Sequence, residues 1–183
     1  RYIDRRLALG EGTAQDPSRS TEGQKLLIDL LHDKERSAVG RIFRLLALAF
    51  PQHDFTAIYR AIENGERPRR AGAVELTSNL LPSPLREAVV GLVEDIDDEA
   101  RLRSASPFHE RVPRDYEELL ATLLESRSAI VRDVAAFHVA ELGSAVLAAK
   151  LEAVQSDGAP SGDVERALEI LSGARSRRAS VLN

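Results

Sequence analysis

The chain is 183 residues long, with a formal net charge of -4, no cysteine, methionine or tryptophan, and 4% aromatic residues. That length buries a substantial core without metals or crosslinks, and the lack of cysteine excludes disulfides, thiolate metal sites and cysteine nucleophiles. The acidic balance gives no overall pull toward nucleic acid or anionic lipid, leaving only a local basic patch for such partners, and no run of about 20 uncharged apolar residues spans a bilayer.

A chain that starts at Arg1 and holds no methionine is expected to be an excised piece of a longer one. Residues 1–20, "RYIDRRLALGEGTAQDPSRS", read as the end of an upstream element followed by a polar linker, because Gly10, Gly12 and Pro17 punctuate them. Period 3.6 then recurs. It picks out Val39, Ile42, Phe43, Leu46 and Phe50, then Leu85, Ala88, Val89, Leu92 and Val93, then Tyr116, Leu119, Leu120 and Leu123, then Val164, Ala167, Leu168 and Leu171. Alternating apolar and polar residues are not sustained anywhere, so strands are not expected.

Breaks at Pro51, Asn64-Gly65, Pro82 and Pro84, Pro107 with Pro113, Gly143-Ser144 and Gly158–Gly162 divide the pattern into short-looped neighbours. The predicted helices are 21–32, 35–50, 53–64, 67–81, 84–95, 97–105, 114–125, 128–142, 144–155 and 163–174. Ser20, Ser83 or Pro84, and Asp163 offer start chemistry. The fold class is therefore all-α, an α-solenoid of about five irregular helical hairpins over residues 21–175, with a flexible tail at 176–183.

Within "AIVRDVAAFHVAELG" (129–143) the apolar stripe reads Ile130, Val134, Phe137 and Ala140, with Ala135 and Ala136 between. Setting Arg70 opposite Arg132 aligns Ala73 with Ala135, Val74 with Ala136 and Leu80 with Leu142. Small residues at these places allow close helix approach, as repeat stacks require.

"VRDVAAFHVAELG" resembles the second helix of a HEAT repeat, with Ser126 or Ser128 where the family has a capping aspartate. "RIFRLLALAFP" (41–51) and "LTSNLLPSPLREAVVGLVED" (76–95) resemble the HEAT-like soluble domain of bacterial proteins related to ATP/ADP carriers. The resemblance runs from about residue 24 to 155 and departs at 96–112. It implies a cytoplasmic, non-catalytic segment, tethered to the inner membrane through a major-facilitator-like part and in some members followed by a cyclic-nucleotide-binding domain. Those adjoining domains, or another protein, are the implied partners.

Chemistry is sparse. His32, His53, His109 and His138 stand in no metal-ligand spacing, and His138 reads as a packing or surface histidine. The run Glu94, Asp95, Asp97, Asp98, Glu99 lacks the glycine and distal glutamate of a calcium loop and reads as a solvated turn before a helix start. No serine has a nucleophile-elbow pattern. No cofactor and no catalytic residue is expected. The candidate interaction surface is Arg67, Arg69, Arg70, Arg127 and Arg132, either meeting a carboxylate, a phosphate or an acidic partner or pairing with acids of the adjacent repeat. Two other readings are kept open: a glycosylase-type DNA-binding enzyme on HEAT-like repeats, and a free-standing adaptor for a partner peptide.

Overall fold

The computed structural model describes residues 1–112, 114–144 and 146–147. All regular structure among them is helical: α1 (Tyr2–Gln15), a 3-10 turn at Pro17–Arg19, α2 (Glu22–Ala49), α3 (Phe55–Asn64), α4 (Arg67–Leu80), α5 (Leu85–Val93), α6 (Asp98–Ser104), α7 (Tyr116–Leu124) and α8 (Ala129–Leu142). The all-α expectation holds for these residues. The helices expected beyond residue 147, including 163–174, and the tail lie outside the described residues.

Residues 2–15, read as the end of an upstream element and a polar linker, form a helix instead. Gly10 and Gly12 weaken it, but its buried residues Ile3 and Leu9 hold it by packing. The breaks expected between 21–32 and 35–50 also do not interrupt the backbone, which runs on as α2. Asp33, Lys34, Glu35 and Arg36 include no glycine or proline, so nothing there stops a helix.

The chain forms two compact units, one of Arg1–Asp4 with Asp33–Val112 and the other of Arg5–His32 with Pro113–Asn183. The polar stretch after Leu31 thus marks a change of unit rather than an end of helix.

In the first unit, α3 packs on α4, α4 on α5 and α5 on α6. Its core joins Val39, Phe43 and Leu46 of α2 to Phe55, Ile58 and Ile62 of α3, Ala73 of α4, and Val89 and Val93 of α5. The 3.6 period marks the α2 and α5 members, Val39, Phe43, Leu46, Val89 and Val93, but not the α3 residues Phe55, Ile58 and Ile62. Phe43 stacks on Tyr59 with centroids 5.0 Å apart, and Phe55 meets both Phe43 (6.4 Å) and Phe50 (5.9 Å) at tilted angles. Pro51 follows directly on the last α2 turn, and Asp54 caps α3 by accepting from Ala57 N at 2.9 Å. The acidic run serves as expected for a helix start: Asp97 accepts from Ala100 N at 2.7 Å and opens α6.

In the second unit α7 packs on α8. α7 starts at a capping box, in which Asp115 accepts from Glu118 N at 2.7 Å while Glu118 accepts from Asp115 N at 3.4 Å. Its face Tyr116, Leu119, Leu120 and Leu123 is buried, as the pattern predicts. The α8 stripe is a correction. Ile130 and Phe137 are 53% and 37% exposed, whereas Val131, Ala135, Ala136, Val139 and Ala140 are buried. A helix apolar nearly all round offers two stripes, and the slimmer one faces inward because it permits the closer approach. Neither serine caps α8 by its hydroxyl: Ser128 makes no side-chain cap bond, and Ser126 Oγ accepts from Ser128 N within the turn at 3.3 Å.

Candidate interaction surface

The five arginines fall into two sets. Arg67, Arg69 and Arg70 start α4 in the first unit, and Arg127 and Arg132 flank the start of α8 in the second. Arg70 and Arg132, matched by the internal alignment, have matching tasks: each donates to a carbonyl at a helix end. Arg70 Nη2 reaches Val93 O, the last residue of α5, at 2.9 Å, and Arg132 Nη1 reaches Ser126 O, just past α7, at 2.7 Å. A guanidinium there satisfies an orphan acceptor and opposes the negative end of the helix dipole. Among the described residues neither is paired with a carboxylate. The side chains of Arg67, Arg69 and Arg127 carry no bond or ion pair among the described residues.

Arg67 and Arg70 line a groove of about 820 Å³ between α4 and α5 in the first unit. Its floor is Ala71, Val74, Val90 and Val93, and Glu75, Glu94 and Asp95 also line it. The sequence singled out the basic residues but read Glu94 and Asp95 only as turn, because nothing local places them opposite α4. The groove has both charge signs around an apolar floor, which suits recognition of a peptide-like segment. A second recess of about 540 Å³ is lined by Asp33, Arg36, Ser37, Gly40, Arg44, Tyr59 and Glu63. There Tyr59 Oη donates to Glu63 Oε1 at 3.2 Å, and burial, then the Glu63 charge, raise the Tyr59 hydroxyl above its ordinary range.

The second unit holds a polar cluster that the sequence reading did not assemble. His138, fully buried, has Thr21 Oγ1 at 2.7 Å from Nδ1 and Tyr116 Oη at 2.8 Å from Nε2. Burial pushes the imidazole down to about 4 against the pull of the Glu141 carboxylate, and burial pushes the Tyr116 hydroxyl up to about 12 against the Arg19 guanidinium 4.4 Å over its ring. A neutral ring has one donor and one acceptor. Glu141 Oε2 stands 3.9 Å from Nδ1 and favours the proton there, so Nδ1 donates to Thr21 and Tyr116 donates to Nε2.

This resembles a catalytic relay only on paper. Thr21 Oγ1 also accepts from Gln24 N at 3.2 Å, as a cap for the start of α2, and Glu141 Oε2 accepts from Gly23 N at 2.8 Å. The cluster therefore clamps the first turn of α2 onto α8. A Cβ at Gly23 would stand 2.8 Å from His138 Cα, and one at Gly12 would overlap the Tyr116 ring. Glycine is required at both places for the close approach. His138 is thus a packing histidine, consistent with the sequence reading, with a bonding role the reading lacked. No family model, curated protein or solved structure matches the chain.

Proposed function

We propose that the chain is a non-catalytic helical interaction module whose α4–α5 groove receives a segment of a partner protein or of an adjoining domain. The groove itself carries this reading: an apolar floor of Ala71, Val74 and Val90 lies above buried Val93, with Arg67 free on one wall and Glu75, Glu94 and Asp95 on offer to cations. Serial packing of α3 on α4, α4 on α5 and α5 on α6 supports a stack of hairpins of HEAT-like kind. The resemblance of residues 41–51 and 76–95 to carrier-associated domains supports placing the module in the cytoplasm beside a nucleotide-carrier-like membrane part. Among the described residues no helix is long and apolar enough to cross a membrane, so any span belongs to another part of such a protein.

The test begins with the complete gene, which is expected to encode apolar spans of about 20 residues in a neighbouring segment. The adjoining soluble or loop segments so identified are then titrated calorimetrically into the module. Binding that Arg67→Glu weakens about tenfold or more supports the groove. Binding indifferent to Arg67→Glu and to Val90→Glu removes it, and retardation of duplex DNA at low salt replaces this reading with the nucleic-acid one.

A further inference from the structure

Outside the groove, the outer face of α2 stands out in the first unit. From Arg36 to His53 the chain carries Arg36, Arg41 and Arg44 and no carboxylate. Leu45 and Leu48 on that stretch are 64% and 78% exposed, although Val39, Phe43 and Leu46 on the opposite side of the same helix are buried in the core. The outward leucines are therefore presented by a well-packed helix. Arg41 and Leu45, and Arg44 and Leu48, are each four residues apart, so the four side chains form one patch. Arg41 has no partner among the described residues, and Arg44 spends only Nε, on Gly40 O at 3.2 Å. Two acids, Asp33 and Glu63, lie on its flank, in the recess shared with Arg36, Arg44 and Tyr59.

We propose that this face docks reversibly on an anionic phospholipid surface, with Leu45 and Leu48 entering the boundary between headgroups and acyl chains and Arg41 and Arg44 meeting lipid phosphates. Charge complementarity selects the surface: guanidinium groups suit phosphate, and the patch itself has no carboxylate to repel it. Shape selects it too, since the leucines project from a convex helix and a bilayer demands no matching groove. Each arginine near such a surface strengthens partitioning about fivefold, and two leucines add shallow insertion, which together give peripheral and salt-sensitive attachment rather than a permanent anchor. This inference does not rest on the α4–α5 groove.

The full 183-residue chain is sedimented with vesicles of phosphatidylcholine alone and of phosphatidylcholine with about 30% phosphatidylserine. Binding is expected to the second and not the first, with release as salt is raised. The pair Arg41→Glu with Arg44→Glu, and separately the pair Leu45→Ser with Leu48→Ser, are each expected to weaken binding about tenfold or more, whereas Arg69→Glu on α4 leaves it within about twofold. Circular dichroism is expected to show both double variants folded, because none of these side chains lies in the core. No binding by the wild type, equal binding to neutral vesicles, or an equal loss with Arg69→Glu overturns the proposal. A dimer that Leu48→Ser dissolves, with no vesicle binding, assigns the face to a second copy and overturns it as well.

Discussion

Each of the two units has an interior of a different kind. The first has an aliphatic and aromatic interior in which Phe43, Phe55 and Tyr59 supply bulk, and outside that cluster buried Glu35 and Asp4 pair with Arg101 and Arg111. The second brings backbones close through Gly12, Gly23, Ala135 and Ala136 and ties them with a buried imidazole, a phenol and a carboxylate. An interior of bulk depends little on pH and is damaged most by truncation. A buried polar clamp holds only while its protons are in place.

The largest expected effect breaks the first kind of interior. Phe43→Ala and Phe55→Ala remove rings that are 1% and 0% exposed, and each is expected to cost about 3 to 5 kcal/mol, measured by urea unfolding. The Phe43→Ala loss should be nearly the same at pH 7 and pH 5, because its ring neighbours, Phe55 and Tyr59, do not titrate in that range. A loss that changes strongly with pH would show that the two interiors are not separable in this way.

Next comes the clamp. His138 binds a proton at about pH 4 when folded and at its ordinary value of 6.5 when unfolded. Between these values the unfolded chain holds more protons, so stability is full above about pH 6.5 and falls as pH drops toward 4. The whole contribution is about 3 kcal/mol. His138→Gln removes the titration, and the difference between wild-type and variant stability is expected to shrink by this amount across that window. A constant difference from pH 7 to pH 4 would mean that the imidazole is not held neutral.

The same contrast explains what the sequence disclosed. Bulky stripes such as Val39, Phe43 and Leu46, or Leu119, Leu120 and Leu123, announce their buried face because hydrophobicity and size coincide on one side. On α8 they part company. Ile130 and Phe137 are the larger residues and lie outside, while Val131, Ala135 and Val139 lie inside, a choice set by how near the next backbone comes. That approach depends on Gly23 and Thr21, 115 and 117 residues before His138, beyond any local pattern. For the same reason Gly12 reads as linker chemistry until the Tyr116 ring is found against it. The groove was half legible: Arg67 and Arg70 mark one wall by their crowding, but the packing of α4 on α5 is what brings Glu94 and Asp95 to the same cleft.

The smallest expected effect concerns a feature that both units share. Arg70 and Arg132 occupy matched positions in the aligned helices, and each donates to a carbonyl at a helix C-terminal end. Arg70→Ala and Arg132→Ala each leave that acceptor to water, at about 1 kcal/mol by denaturant unfolding. Arg132 is the less exposed of the two and its bond is the shorter, 2.7 Å against 2.9 Å, so its removal should cost more. Arg67→Ala, with no bond to lose, should change stability by less than about 0.5 kcal/mol. If the three substitutions instead cost the same, the carbonyl bonds contribute nothing net, and the likeness between the two helices lies in their alanines alone.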